Sequence, residues 1–250
     1  MAYSGGGTTS GEHLDLGSPD SYFRRRLSYR AVDVGAESSY HFGCLGALTV
    51  GVDAEVADHV HPYGEEILSQ PRGLLPAGTV LPIGTPTRST LTNLGTYLEL
   101  FVRPIEMLGL TGGARFDSNS VYGKNVSVRA AAVLNPREFI SLKALFGTSI
   151  MAPAPDQLYS QASLSETDII GNPELRAQTA KTGELAVEHK HKHHLSLRVD
   201  GFLTEVRDKI EFQQLCVARR PVNRDRIFVK GIEVELKAEV SRFALHSSLM

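Results

Sequence analysis

No run of 18 consecutive apolar residues occurs in the 250-residue chain, so a membrane-spanning helix is excluded on length. That absence does not extend to membrane-spanning strands, whose lipid-facing residues are only every second one. Cysteine is scarce: Cys44 and Cys216 cannot supply a disulfide framework or a Cys-based zinc site. Neither sign of charge is in excess. The balance of 26 basic against 28 acidic residues gives a formal charge of −2, which offers no field for nucleic acid and no polybasic patch for a membrane surface. The N-terminal stretch MAYSGGGTTSGEHLDLG has neither the basic nor the apolar region of a secretion signal, so none is expected there. Its Gly5-Gly6-Gly7 run follows no strand and lacks a lysine, unlike a phosphate-cradling loop.

What the chain does have is period-two alternation. Residues 1–20 read as loop or disordered end, and 21–250 as one β domain. From Phe23 to Ser38 a long strand is expected. A second strand is expected from Gly43 to Val56, where Leu48, Val50, Val52 and Ala54 oppose Thr49, Gly51, Asp53 and Glu55. The same pattern returns over 92–103, 108–117, 121–134, 140–150, 182–189, 195–203 and 227–240, with a last partial strand after Arg242, about ten strands in all. Long connections are expected at 58–91, 151–181 and 213–226, with a short one near 118–121 among them, and the short turns near 39–42, 104–106, 135–138, 190–193 and 241–242 fall together at the other end. Two stretches conflict locally. Asn135-Pro136-Arg137-Glu138 and Asn172-Pro173-Glu174 both read as helix starts, and 173–188 is rich in helix formers, so propensity leaves helix and strand open there.

A soluble antiparallel sandwich would also alternate. Strands of ten or more residues exceed its usual length of about five or six. Arg115, Arg129, Lys143, Glu184, Arg198, Glu233 and Glu235 all fall on one face, which favours a barrel wall.

Four stretches carry a resemblance. Leu142-Lys143-Ala144-Leu145-Phe146-Gly147 leads through Ala152-Pro153 and a long polar segment to Gly171-Asn172-Pro173-Glu174-Leu175, followed by a strand bearing Glu184. With LGLTGGARFD (108–117), FLTEVRDKIEF (202–212) and GIEVE (231–235), this order resembles the barrel of TonB-dependent outer-membrane receptors. Ile150-Met151 and Ala177-Gln178 depart from the family's usual aromatic-Arg and Pro-Glu.

The resemblance decides for strands in both ambiguous stretches. It implies an all-β, antiparallel transmembrane β-barrel in the cell outer membrane, present as about ten strands of a larger barrel of roughly 22 and therefore incomplete. The implied activity is TonB-dependent uptake of a siderophore, a cobalamin or a similar scarce ligand. The implied partners are outer-membrane lipid, the remaining barrel strands, a plug domain through which alone TonB would act, and a small molecule such as a metal chelate. Neither a plug nor a TonB box is legible in the sequence. A small self-closed channel or binding barrel is the alternative, and a soluble β-sandwich adhesion or carbohydrate-binding module is the alternative of another class.

No enzyme is expected, because no Ser/His/Asp or Cys/His constellation has a framework here. No cofactor or metal site is expected either. His189, His191, His193 and His194 are the obvious metal candidates, but they sit in a Lys-interleaved turn where alternate residues point to opposite faces. Asn125-Val126-Ser127 matches a glycosylation pattern without meaning in a bacterial-type strand. Ligand-binding residues are not legible.

Overall fold

A computed structural model describes residues 2–7, 13–14, 20–161, 169–191, 195–216, 218–240 and 243–249. Along the chain run β1 (Ala2–Gly7), β2 (His13–Leu14), β3 (Ser21–His41), a 3-10 turn (Gly43–Leu45), β4 (Gly46–Leu68), β5 (Val80–Ile83), β6 (Arg88–Ile105), β7 (Leu108–Asn119), β8 (Gly123–Arg137) and β9 (Ile140–Met151). A short helix α1 (Pro155–Tyr159) precedes β10 (Gln178–His191), β11 (Leu195–Gln214), β12 (Arg219–Val240) and β13 (Phe243–Leu249). All strands form one antiparallel sheet in the order β1-β3-β4-β6-β7-β8-β9-β10-β11-β12-β13, with β2 on β3 and β5 on β4. Among the described residues β1 and β13 each pair on one side only, so the sheet stays open as part of a larger barrel would.

Alternation sets the two faces. Successive strand residues point to opposite sides, and the cross-strand register keeps like with like. Val50, Leu98 and Ala114 share one row, Val128 follows on β8, and Gly51, Tyr97, Arg115 and Ser127 share the next row on the other side. The first face is apolar and bare: Val126 is 60% exposed, Ile232 67% and Leu185 68%. A soluble monomer rarely shows so continuous an apolar surface, whereas hydrocarbon covers it. Neither ambiguous stretch is helical: residues 135–137 close β8, Pro173-Glu174 form a turn, and β10 begins at Gln178. Tertiary pairing of β10 with β9 and β11 overrides the helix formers of 178–188.

Four expectations require correction. Residues 2–7 and 13–14, read as loop, are strands against β3, so the free edge lies at β1 and not along Phe23 to Ser38. The loop placed at 58–91 shrinks to 69–87 and carries β5, because β4 continues to Leu68. The loop placed at 213–226 is a ladder running to Gln214↔Arg219, so only four residues connect the two strands. That short connection joins the expected one between Asn119 and Gly123, so short connections occur at both ends and not at one. The 151–181 connection is long as expected, but it contains α1.

The cause is shared: beyond the apolar belt both faces meet water, so the hydropathy period vanishes although the pairing continues. Pro62 and Pro221 also read as breakers. Pro62 lies beside the β3–β4 register shift and beyond the last β4–β6 pair, and Pro221 pairs across to Phe212 where no third long strand flanks β12. Proline is tolerated at such bulges and edges.

Candidate functional site

The inner face is a set of charged side chains laid flat across glycines. Gly51 stands between Glu37 and Tyr97 in one row, and a Cβ there would lie 2.3 Å from the Tyr97 ring. Because that space is empty, the Tyr97 hydroxyl crosses β4 and donates to Glu37. One row along, Arg115 folds over Gly95, whose added Cβ would meet Arg115 Nη2 at 2.2 Å. Its guanidinium donates to both Asp53 oxygens at 2.8 and 2.9 Å and to Asp117 at 2.7 Å. Arg129 likewise passes Gly113 to reach Glu99. Farther round, Lys143 pairs with Glu188 at 3.3 Å, and Arg198 with Asp200 at 2.7 Å and Glu184 at 3.8 Å. These pairs are partly wet, so each contributes about 0–1 kcal/mol. Their effect is to cancel charge pairwise along the wall.

Between the two charged sectors lies a shallow trough. Thr111, Ala131, Leu145, Glu184, Phe202 and Gly231 form one cross-strand row from β7 to β12 and line it together. Phe202 lies flat because Gly231 has no side chain, an added Cβ being 2.6 Å from the ring. Glu184 thus points inward as the resemblance implies.

The long-loop end holds most of the little core this chain has. Ile67 and Leu68 at the top of β4, Leu158 on α1, Leu175 and Ala218 are buried there. The segment Gly171–Leu175 is the clasp. Gly171 donates to the Ser160 carbonyl at 2.9 Å and lies so close to α1 that a Cβ would come within 2.6 Å of the Leu158 and Tyr159 backbone. Asn172 donates through Nδ2 to the Pro221 carbonyl at 3.0 Å, and its Oδ1 accepts from the Glu174 amide at 3.2 Å. One asparagine therefore ties the loop to β12 and shapes the turn that follows.

On the inner side of β4 above the belt stand His59, His61, Tyr63 and Glu65. Glu65 accepts from Arg24 Nη2 at 2.6 Å, and the His61 ring packs on Tyr159 with centroids 4.5 Å apart. His61 is 3% exposed and its Nδ1 has no partner among the described residues. Burial, reinforced by His59, holds its pKa below the ordinary histidine value. At the rim, Glu66 is held below the usual carboxylate range by the Arg72 guanidinium. Sequence reading missed this cluster, although the alternation of His59, His61, Tyr63 and Glu65 was visible.

Of the four histidine candidates the structure describes His189 and His191. His189 lies at the turn end with its ring edge-on to Phe139 at 5.7 Å, and His191 closes β10. His193 and His194 lie outside the described residues. Among the described residues no group of three or more His, Cys, Asp or Glu could hold a metal. Asn125 sits on the inner row of β8 opposite Asp117.

With this geometry established, comparison with known proteins is decisive. Residues 2–249 match the family model for the TonB-dependent receptor-like β-barrel. The chain belongs to that family. Among curated relatives, the hemoglobin and hemoglobin-haptoglobin-binding protein of Haemophilus ducreyi is 25% identical over 63% of this chain and 18% of its own length. Among solved structures, the siderophore receptor PirA of Acinetobacter baumannii superposes with TM-score 0.66 at 16% identity, over 90% of this chain and 36% of that one. The copper transporter OprC does so with TM-score 0.68 at 15% identity, over 91% and 38%. The chain thus spans less than half the length of these relatives and corresponds to part of a TonB-dependent receptor barrel, a protein of the cell outer membrane. Its family members are receptors and transporters and not enzymes.

Proposed function

We propose that this chain is the wall of an outer-membrane uptake receptor, admitting a scarce ligand such as a metal chelate in TonB-dependent fashion. The observation that carries the reading is the pairing of a bare apolar outer face with a charge-paired inner face through the same strands, β3 to β12. Ligand capture falls to the long-loop end, where Tyr63, Tyr159, His61 and the Arg24–Glu65 pair line the inner rim. The names of the relatives, hemoglobin-binding protein, siderophore receptor and copper transporter, point to a metal-bearing ligand without choosing one. The inner carboxylates serve as wall and not as an acid–base pair.

Energised transport requires the rest of a receptor: remaining strands, a plug and contact with TonB. The 250 residues alone are expected to bind weakly and to give no TonB-dependent uptake, since exposed strand edges in hydrocarbon cost several kcal/mol per unpaired group. The test is expression in cells lacking their own receptor, with accumulation of ferric siderophore, haem and cobalamin measured with and without TonB. Uptake by residues 1–250 that needs TonB would overturn the reading as a partial wall. Absence of any receptor activity from a full-length protein carrying this wall would overturn the uptake function.

A further inference from the structure

The ladder between β8 and β9 stops short. It runs from Arg137↔Ile140 to Arg129↔Gly147 and, among the described residues, no farther. Meanwhile β8 stays paired with β7 up to Gly123, and β9 with β10 up to Met151. Residues 123–128 of one strand and 148–151 of the other therefore border a seam that opens toward the long-loop end. At the point of separation the acceptor changes: the Val128 amide donates to the Thr148 hydroxyl at 2.9 Å, where a continuing ladder would offer a carbonyl. Alternate residues of a strand turn their backbone groups to alternate neighbours. Since the Val128 amide faces β9, the amide and carbonyl of Val126 do too, and those of Ile150 face β8. In the register already set, Val126 and Ile150 would be partners. With the strands apart, these groups have no ladder partner across the seam.

The two sides of the seam differ in chemistry. Outward, Val126, Val128 and Phe146 are exposed and belong to the apolar belt. At its root lies a cavity of about 450 Å³, lined by Tyr97, Arg115, Ser127, Arg129 and Thr148 among others, within the span of about 300 to 1,000 Å³ usual for small-molecule sites. The charges in that cavity are already paired: Arg115 with Asp53 and Asp117, Arg129 with Glu99, and the Tyr97 hydroxyl donates to Glu37. The Ser127 hydroxyl makes no hydrogen bond among the described residues. The chain leaving β9 does not return to the β8 edge either. Through buried Pro153 it leads to α1, whose Tyr159 packs on His61 of β4.

We propose that the β8–β9 seam is a lateral portal for an amphiphile with an amide-linked acyl chain, the neutral neck held at the root and the chain leaving through the wall into the apolar belt. The inference rests on the reading of this chain as the wall of an uptake receptor, and it names a class of ligand for that wall. Unpaired backbone groups are costly at hydrocarbon height, and an amide neck brings one donor and one acceptor to meet those of Val126 and Ile150. An ester neck brings acceptors alone and leaves the donors of the seam competing for them. A charged head gains little, because each of these cavity charges would have to leave a partner first. The apolar flanks suit the chain.

The experiment uses the full chain in phosphatidylcholine vesicles and N-lauroylethanolamine carrying a photoactivatable diazirine in its chain, labelled residues being located by mass spectrometry. Labelling at Val128 and Phe146 is expected to saturate. Unlabelled N-lauroylethanolamine should displace it about tenfold better than ethylene glycol monolaurate, the corresponding ester, a factor equivalent to about 1.4 kcal/mol. Labelling at Leu185 and Ile232, on the open belt, should show neither saturation nor preference. A disulfide across the seam, Val126→Cys with Ile150→Cys in a Cys44→Ser, Cys216→Ser background, should suppress the seam labelling when oxidised and restore it on reduction. Seam labelling that does not saturate, equal displacement by amide and ester, or labelling indifferent to the oxidised crosslink overturns the proposal. Should the crosslink not form, the competition between amide and ester decides alone. A chain that stays in the aqueous phase instead overturns the membrane-wall reading beneath it.

Discussion

The lower and upper halves of β11 are one continuous strand under two different solvents. From Leu195 to Leu203 its outward residues are Leu, Leu, Val, Gly and Leu; from Glu205 to Gln213 they are Glu, Arg, Lys, Glu and Gln. Backbone pairing with β12 continues through both halves, save for the unpaired Asp208. Strand identity therefore comes from the ladder, and residue choice on the outer face comes from what lies beyond it. The inner face runs the other way: Ser196, Arg198 and Asp200 in the lower half give way to Val206, Ile210 and Phe212 in the upper one.

The sharpest way to break that comparison is to put the same residue at two heights on one face. Val199→Arg lies mid-belt and is expected to cost roughly 2 to 4 kcal/mol, whereas Gln213→Arg, also outward but above the belt, is expected to cost little. Heat-modifiable migration after refolding into lipid vesicles reads the difference, and equal tolerance at both sites would refute the boundary. A second substitution acts only on the upper half. Gly171→Ala drives a Cβ into the Leu158–Tyr159 backbone, so about 1–3 kcal/mol of overpacking is expected in the clasp. Limited proteolysis should then cut between residues 152 and 177 while the sheet resists as before.

The third effect is smaller and depends on pH. His61 has its pKa lowered by burial, so the docked state of α1 binds its proton less readily than the undocked state, whose value is near 6.5. Docking is therefore fully stable above about pH 6.5 and weakens as pH falls below it. Proteolytic sensitivity of the α1 segment should rise between pH 7.5 and 5.5, and His61→Phe should flatten the profile. A wild-type profile already flat would exclude His61 as the cause. The smallest expected effect is none at all. Cys44 lies in the turn at one end of β4, and Cys216 lies in the β11–β12 turn at the other end of the sheet. A disulfide needs Cα atoms within about 7 Å, so non-reducing electrophoresis should show no internal crosslink.

Legibility in the sequence follows the same boundary. Within the belt, alternation placed the strands and both faces, down to the inward positions of Arg115, Arg129, Lys143 and Glu184. Above it the reading failed: 58–68 and 213–226 looked like loops because Asp58 and His59, like Asn223 and Arg224, present polarity on both sides, and Pro62 and Pro221 interrupt. The N-terminal strand was missed for a related reason, since Gly5, Gly6 and Gly7 carry no side chains from which a period could be read. The clasp at Gly171–Leu175 was found as a motif but not understood, because its meaning depends on the backbone of α1 at a distance no local pattern reports. His61 went unnoticed because nothing local marks a histidine as buried.

The glycines of the inner wall have a mechanical consequence. Tyr97, Arg115 and Arg129 each lie down across a neighbouring glycine and end in a carboxylate partner. At these three positions the wall is smooth: the arms lie flat and already hold a carboxylate. A charged body travelling along it must open an existing pair before it can form a new one, so its stops there are shallow and short.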